Sequence, residues 1–351
     1  MVTIADVARH AGVAASTVSY VLSGKRSISP ETRERVQRSV RALGYRPNAS
    51  ARALAGRRSN VIALVMPLRT GMHVPVMMQF ASAVVTTARR FDHDVLLLTA
   101  DEGPDGLERV AQSALVDALV VMDVELDDPR VPVLRELPLP SVLIGYPADA
   151  AGLTCVDLDF VAAGAHCVDH LIGLGHRALA LLGTPSAVYE RQTGFAQRTL
   201  TGFADAAERQ GVLGVETPCE HTFEAVLGTV ERLLHDHPGI TGLVVQNEPI
   251  IGPLLDVLRR LGRRVPEDLS LVAICADDVA ERQVPRLSSV TIPAERIGEQ
   301  AVESLITKLA GGDVAELTLM PPTLTARGSS GRADDRDPAT GHRERSVHRR
   351  A

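Results

Sequence analysis

The chain has 351 residues, 45% of them hydrophobic and 23% charged, enough to bury more than one core. It contains no run of apolar residues long enough for a membrane-spanning helix and opens directly on a helical pattern, so neither a membrane span nor a signal peptide is expected. Four cysteines (Cys155, Cys167, Cys219, Cys275) lie far apart without C-x-x-C spacing, which argues against a zinc site or a disulfide framework and makes a reducing cytoplasm the expected location. Charge is unevenly placed: residues 1–60 hold eleven Lys or Arg against three Asp or Glu, a net of +8, so the remaining residues carry −14 to reach the total of −6. A basic module on an acidic body is the electrostatic footprint of phosphate binding.

The predicted elements begin with a compact head. Thr3 and Asp6 form a T-x-x-D start, after which Ile4, Val7, Ala8 and Ala11 recur at helical spacing. Gly12 supplies a turn, Val13 plugs the gap, and a second helix is expected from about Ala15 to Leu22 with Val18, Val21 and Leu22 inward and Ala15, Ser16, Thr17, Ser19 and Tyr20 outward. Ser29 followed by Pro30 opens a third helix through Val36, Val40 and Leu43 that stops at Gly44. A helix, a glycine turn and a second helix with small polar residues outward is the arrangement whose second helix enters the major groove of DNA. The bland reading, a basic bundle that binds protein or nothing, has no need of Gly12, the small exposed residues and the basic flanks together.

From Asn60 onward short apolar runs alternate with amphipathic stretches. Strands are expected at Val61–Pro67, Val95–Ala100, Ala118–Val124, Ser141–Gly145, Ala178–Thr184, Gly242–Asn247 and Leu269–Cys275. Helices are expected at Val74–Phe91, Gly106–Leu115, Phe160–Leu174, Thr199–Gln210, Ala225–His235, Pro249–Leu261 and Ala294–Leu309. Buried strands alternating with helices imply parallel sheets covered on both faces. The similar openings VIALVMP and ALALLGTP suggest two doubly wound lobes with a ligand between them at the carboxyl ends of the strands. The segment from Ser329 to Ala351 is polar, lacks apolar periodicity and leucine heptads, and is expected to be a disordered tail.

The stretches V-T-I-A-D-V-A, A-G-V-x-x-S-T-V-S-x-V-L-S-G and Y-R-P-N-A-x-A-R-A-L closely resemble the head of the lac repressor (LacI/GalR) family of bacterial transcription regulators, and the resemblance extends to about residue 328. It implies an α/β protein: an N-terminal helix-turn-helix head (1–45) joined by a hinge (46–60) to a two-lobed periplasmic-binding-protein-like body of doubly wound parallel sheets. The N-terminal lobe would comprise 61–158 with 288–315, and the C-terminal lobe 159–287 with 316–328. It further implies that Ala15, Ser16 and Tyr20 read base edges and that Thr17 and Ser19 contact phosphates. Thr3, Asn48 and Ala51 complete the expected DNA contacts, and Leu54, in a hinge that becomes helical on the operator, wedges into the minor groove. Tyr20 stands where the family usually has Arg; a phenol cannot grip guanine through two hydrogen bonds, which puts the base read there in doubt.

Effector candidates follow from the same resemblance. Arg198 opens R-x-x-x-G-F, one residue longer than the family's R-x-x-G-F, whose Arg reaches the effector, and Arg191 and Thr193 in ERQTG are a second choice. Asn247 ends LVVQN as the family's A-N-D Asn does, Asp277 follows LSLVAICAD with a local shift from the family's V-V-G-F-D-D, and His73 stands where the family often has an aromatic residue. Together they favour a polyhydroxylated ligand such as a sugar. The rings available to stack on one are few: no Trp, four Tyr and six Phe, with Phe195, Phe203 and Phe223 near the expected cleft. His166, Asp169 and His170 have i, i+3, i+4 spacing, but the segment resembles the family's V-E-H-L-I-x-L-G-H, where the histidines are structural, and no metal or other cofactor is expected. The function expected is that of a ligand-responsive repressor acting as a homodimer on a near-palindromic operator. A solute-binding protein without regulatory role, opposed by the basic head, and an enzyme on the same fold, for which no catalytic constellation is visible, are the alternatives.

Overall fold

The computed structural model describes residues 2–23, 26–45, 58–69, 73–113 and 115–333. The head contains α1 (Ile4–Ala11), α2 (Ala15–Ser23) and α3 (Pro30–Leu43). The hydroxyl of Thr3 accepts from the Asp6 amide at 3.3 Å and donates to the Asp6 carboxylate at 2.7 Å, while the Thr3 amide donates to that carboxylate at 2.9 Å. This reciprocal cap fixes the start of α1, and Gly12, at φ 63°, ends it in the left-handed conformation that glycine adopts without strain. Ser29 caps α3 and Gly44 terminates it, as its sequence indicates. Val7, Ala8, Ala11, Val18, Val36 and Tyr45 form the core of this unit.

The body is built on two six-stranded sheets. The first contains, in spatial order, β2 (Asp94–Leu98), β1 (Val61–Val65), β3 (Ala118–Val121), β4 (Ser141–Ile144), β5 (Cys155–Leu158) and β11 (Leu317–Met320), all parallel. The second runs β7 (Leu213–Pro218), β6 (Ala178–Gly183), β8 (Gly242–Val245), β9 (Ser270–Cys275), β10 (Ser288–Thr291) and β12 (Leu324–Thr325), with only β12 antiparallel. Helices cover them: α4 (Val74–Arg90), α5 (Gly103–Gln112), α6 (Val131–Glu136) and α13 (Ala294–Leu309) go with the first sheet. With the second go α7 (Phe160–Gly173), α8 (Ser186–Glu190), α9 (Gly194–Arg209), α10 (Phe223–Asp236), α11 (Ile251–Arg260) and α12 (Asp277–Glu281). Helices α7 and α9 cross where both chains are bare: a Cβ on Gly202 would fall on the carbonyl of Val161, and one on Gly164 on that of Thr199.

Three features correct the sequence reading. The expected lobe boundaries misplace two strands: Ser288–Thr291 pairs with β9 in the second sheet, not the first lobe, and Leu317–Met320 pairs with β5 in the first sheet, not the second lobe. Helix α9 starts at Gly194, five residues before the expected Thr199. The tail does not begin at Ser329, which is fully buried; its hydroxyl donates to the Leu271 carbonyl at 2.6 Å and accepts from the Ser288 amide at 2.8 Å, and Ala333 still donates to Leu174 at 2.8 Å. Residues 334–351, and the hinge residues 46–57 with Asn48, Ala51 and Leu54, lie outside the described residues. Among the described residues no helix is long and apolar enough to cross a membrane.

Candidate functional site

Helix α2 presents Ala15 and Ser16 exposed at its start and Tyr20 at 37% exposure one turn on, whereas Thr17 and Ser19 are half-buried. The guanidinium of Arg26 lies 5.9 Å from the centre of the Tyr20 ring, within cation–π range, so the phenol carries a positive charge beside it. Arg9, Arg33, Arg35, Arg38 and Arg41 are exposed on α1 and α3, a supply of cations for phosphates; Arg9 is paired to a carboxylate in its own turn, Asp6 at 3.1 Å. Thr3 is exposed, but its hydroxyl is engaged in the cap of α1.

In the body the two sheets turn their carboxyl ends toward one cleft, with an empty volume of about 1010 Å³ including its mouth. The first lobe contributes His73, Val76, Met77 and Phe80 from the start of α4, Met122, Asp123 and Val124 after β3, Ile144 and Gly145 at the end of β4, and Asp157 in β5. The second contributes Phe160, Thr184, Val188, Arg191, Phe195, His221, and Gln246, Asn247 and Glu248 after β8. This is the topological position at which doubly wound sheets bind ligands.

Most polar groups of the lining are already committed. Asn247 donates to the carbonyls of Gly183 at 3.1 Å and Cys219 at 2.6 Å. Gln246 accepts from Tyr189 at 3.2 Å and donates to Phe195 at 3.1 Å. Asp123 accepts from Arg69 at 2.9 Å. Five buried atoms of lining residues have no hydrogen-bond partner: His73 Nδ1, Asp157 Oδ2, Thr184 Oγ1, Arg191 Nε and Glu248 Oε2. An unpaired buried polar atom costs on the order of 1–3 kcal/mol, and these five belong to residues that line one cavity. Burial pushes the Asp157 carboxyl up to about 7, against the Leu158 amide and the field of Arg198. Burial likewise raises Glu248 to about 7, opposed by the Ala276 amide and reinforced by Asp278. His73, 3.9 Å from Glu248 across the cleft, is held below its ordinary value by burial and then by His221.

Of the sequence candidates, His73, Arg191 and Asn247 line the cleft. Thr193 does not: it is buried in a β-bridge to Glu125 that joins the lobes. Arg198 does not either; its guanidinium lies 3.3 Å from the centre of the Tyr146 ring and donates to the Pro147 carbonyl at 3.2 Å, so the extra residue in R-x-x-x-G-F turns it toward the first lobe. Asp277 is tied to Arg327 at 3.0 Å and Thr291 at 2.9 Å outside the lining. Phe195 lines the cleft as expected, tilted against Phe160 with centroids 5.7 Å apart, while Phe203 is a fully buried core residue and Phe223 packs on the second lobe's own core. Asp157, Thr184 and Glu248 were not anticipated; the signal for the last two was their place just beyond strand ends. His170 bonds to Ser330 at 2.8 Å and Asp169 accepts from Gln210 at 3.4 Å, and no metal-ligating cluster occurs among the described residues.

Comparison with known proteins matches residues 3–48 to "Bacterial regulatory proteins, lacI family" and residues 168–330 to "Periplasmic binding protein-like domain". The HTH-type transcriptional regulator AglR of Rhizobium meliloti is 30% identical over 353 aligned residues, covering 96% of each chain. The HTH-type transcriptional regulator CelR of Thermobifida fusca is 28% identical, covering 92% of this chain and 96% of its own. A solved CelR–cellobiose complex superimposes with a TM-score of 0.67 at 27% identity, over 94% of this chain and all of that one. The lac repressor dimer bound to operator and an anti-inducer gives a TM-score of 0.80 at 22% identity over 94% and 99%, a likeness of fold.

Proposed function

Because the chain belongs to the lacI family of bacterial regulatory proteins, we propose that it is a repressor that reads a near-palindromic operator as a homodimer and is switched by a small molecule held between its lobes. It is a DNA-binding transcriptional regulator, not an enzyme. The effector is a sugar or related polar metabolite; the relative CelR has been solved with cellobiose. The observation that carries the effector reading is the cleft at the carboxyl ends of both sheets, five of whose lining residues hold a buried polar atom without a hydrogen-bond partner. For the DNA partner, Ala15, Ser16 and Tyr20 on α2 are the base-reading candidates, flanked by Thr17 and Ser19, with Thr3 held in its cap. Asn48, Ala51 and Leu54, outside the described residues, are the remaining DNA-contact candidates, with Leu54 as the minor-groove wedge.

A dimer is supported by exposed apolar side chains on the first lobe, Val74, Met78 and Val85 along α4 and Leu96 and Leu97 on the edge strand β2, surface that a second copy can cover. Two heads then meet half-sites about one helical turn apart. The effector acts through the closure of the lobes, and to switch an operator it must prefer one lobe arrangement by roughly a few kcal/mol. The test is a gel-shift titration on operators selected from random DNA, with a sugar panel screened by thermal shift. Operator affinity should fall steeply with salt, because each neutralised phosphate releases counterions, and ligands that raise the melting temperature should change it. Salt-independent binding would refute the DNA reading; stabilising ligands without effect on operator affinity would refute the switch.

A further inference from the structure

Helix α2 is short of donors for a base. Its sequence is ASTVSYVLS, and Ala15, Ser16 and Tyr20 are its exposed residues among those described. A methyl group offers nothing polar, and a serine or tyrosine hydroxyl offers a single donor. Small outward side chains let the helix come deep into a groove, but none of them presents two parallel N–H groups to one base. Two such donors are what the O6 and N7 of guanine take in the major groove, the commonest specific contact there.

A fork of donors lies beside the helix in space. Arg26 stands in the link between α2 and α3, just ahead of Ser29, whose hydroxyl caps α3 by accepting from the Thr32 amide at 3.4 Å. Its guanidinium carbon is 5.9 Å from the centre of the Tyr20 ring, and Tyr20 shares with Ser16, one turn earlier, the exposed face of α2. Arg26 is itself exposed, and among the described residues it forms no ion pair: of the head's three acids, Asp6 is bonded to Thr3 and Arg9, and Glu31 and Glu34 stand on α3. A guanidinium held against an aromatic face is restrained through its charge and its flat surface, and so keeps the N–H donors at its edge. The ring thus limits the rotamers of a long side chain without using the groups that a base would take, and part of the ordering cost of binding is met beforehand.

Resting on the DNA-binding reading above, we propose that Tyr20 and Arg26 form one base-reading unit, in which the Tyr20 ring is a platform that aims the Arg26 guanidinium at the O6 and N7 of a guanine in each half-site. Tyr20 is then a positioning residue, and the guanidinium that reads the base comes from the link after the helix. The other use of Arg26 is a phosphate contact, like those open to the arginines of α1 and α3. A phosphate contact carries no sequence information and adds to the salt dependence, whereas a base contact sets the preference at one position. The platform favours the base, because the ring that holds Arg26 lies on the face of α2 that enters the groove.

The test is selection from random DNA by the full chain and by its Arg26→Ala, Tyr20→Phe and Tyr20→Leu variants. Gel-shift titrations over a range of salt follow, on the selected operator and on the same operator with adenine in place of the guanine in question. Arg26→Ala should erase the preference for one guanine in each half-site and leave the rest of the motif as in wild type. Replacing that guanine should cost wild type about tenfold or more in affinity and Arg26→Ala about nothing. Tyr20→Leu should lose the same preference, and Tyr20→Phe, which keeps the ring, should retain it. All three variants should bind the replaced operator about as well as wild type does, which shows that their heads are folded, and Arg26→Ala should keep the wild-type salt slope. An unchanged motif for Arg26→Ala, or a uniform loss of affinity with a shallower salt slope, overturns the base contact and leaves the DNA-binding reading standing. Retention of the guanine by Tyr20→Leu, its loss by Tyr20→Phe, or failure of the variants to bind either operator overturns the platform. If wild type selects no motif at all, the DNA-binding reading fails and the unit fails with it.

Discussion

Arg198 and Tyr146 should behave as one clasp between the lobes, and a double-mutant cycle measures it. Arg198 leaves α9 in the second lobe, is 8% exposed, and stacks 3.3 Å from the centre of the Tyr146 ring while donating to Pro147, both beyond β4 in the first lobe. Backbone bonds run alongside, from Leu126 to Gln192 at 2.8 Å and from Gly194 to Val124 at 2.9 Å. A desolvated cation–π contact contributes about 2 kcal/mol and a hydrogen bond from a charged donor about 1.5–3 kcal/mol. Against this stands the burial of a guanidinium with no carboxylate in contact, a penalty of several kcal/mol that also lowers its pKa. The attraction and the penalty largely cancel, so Arg198→Ala alone should cost only about 1–3 kcal/mol of unfolding free energy. The coupling between Arg198→Ala and Tyr146→Ala measures the whole contact of guanidinium with phenol and should be about 1–2 kcal/mol, and Tyr146→Phe, which keeps the ring, separates the stacking from the hydroxyl's part. The assay is urea unfolding of the four proteins, followed by effector titration. Since Arg198 does not line the cleft, any loss of effector affinity should be shared equally by both single variants. Effects that add to within about 0.5 kcal/mol would refute the clasp.

Tyr20→Arg should change the preferred half-site base and not merely weaken binding, because the guanidinium makes a two-pronged contact to guanine that a phenol cannot; selection from random DNA with both proteins checks it, and identical motifs would remove Tyr20 from base reading. Gly202→Ala should lower unfolding free energy by about 3 kcal/mol or more, since its Cβ would meet the backbone of Val161 and α7 and α9 would have to separate; a melting temperature near wild type would contradict this. Asp157→Asn carries a pH signature. The folded carboxyl holds its proton to about 7, but its ordinary value is 3.8, so the native state binds the extra proton between those limits. Stability is therefore fully present at low pH and lost as the pH rises through 7, by on the order of 2–4 kcal/mol. The amide cannot ionise, so the variant's melting temperature relative to wild type should rise steadily from about pH 4 to pH 8; a constant difference across that range would count against burial as the cause.

The elements that local chemistry specifies were legible, and those specified by distant partners were not. The head could be read residue by residue because a T-x-x-D cap, a left-handed glycine and a Ser-Pro start are each decided within one turn of chain. Central strands such as β1 and β8 announce themselves as apolar runs because both faces are covered. Strand β10 does not: Ser288 and Ser289 are fully buried, their hydroxyls bonded to the carbonyl of Arg327, to Ser330 and to the Arg327 guanidinium, so a hydrophobic scan passes over them. Edge strand β7 fails for the opposite reason, its residues being mostly exposed. Missing β5, β10 and β11 hid where the chain crosses between lobes, and with β5 went Asp157. The binding candidates divide along the same line. Asn247, just beyond β8, and His73, at the start of α4, both lie in the cleft lining where the strand–helix pattern puts them. Arg198 was misassigned because one residue of register on α9 decides whether a long side chain faces the cleft or the other lobe. An acid such as Glu248 reads as solvent-facing in any sequence, and only the tertiary structure reveals that it is buried beside an apolar wall with an oxygen unpaired. What hides Glu248 in the sequence is thus an environment that contradicts its type.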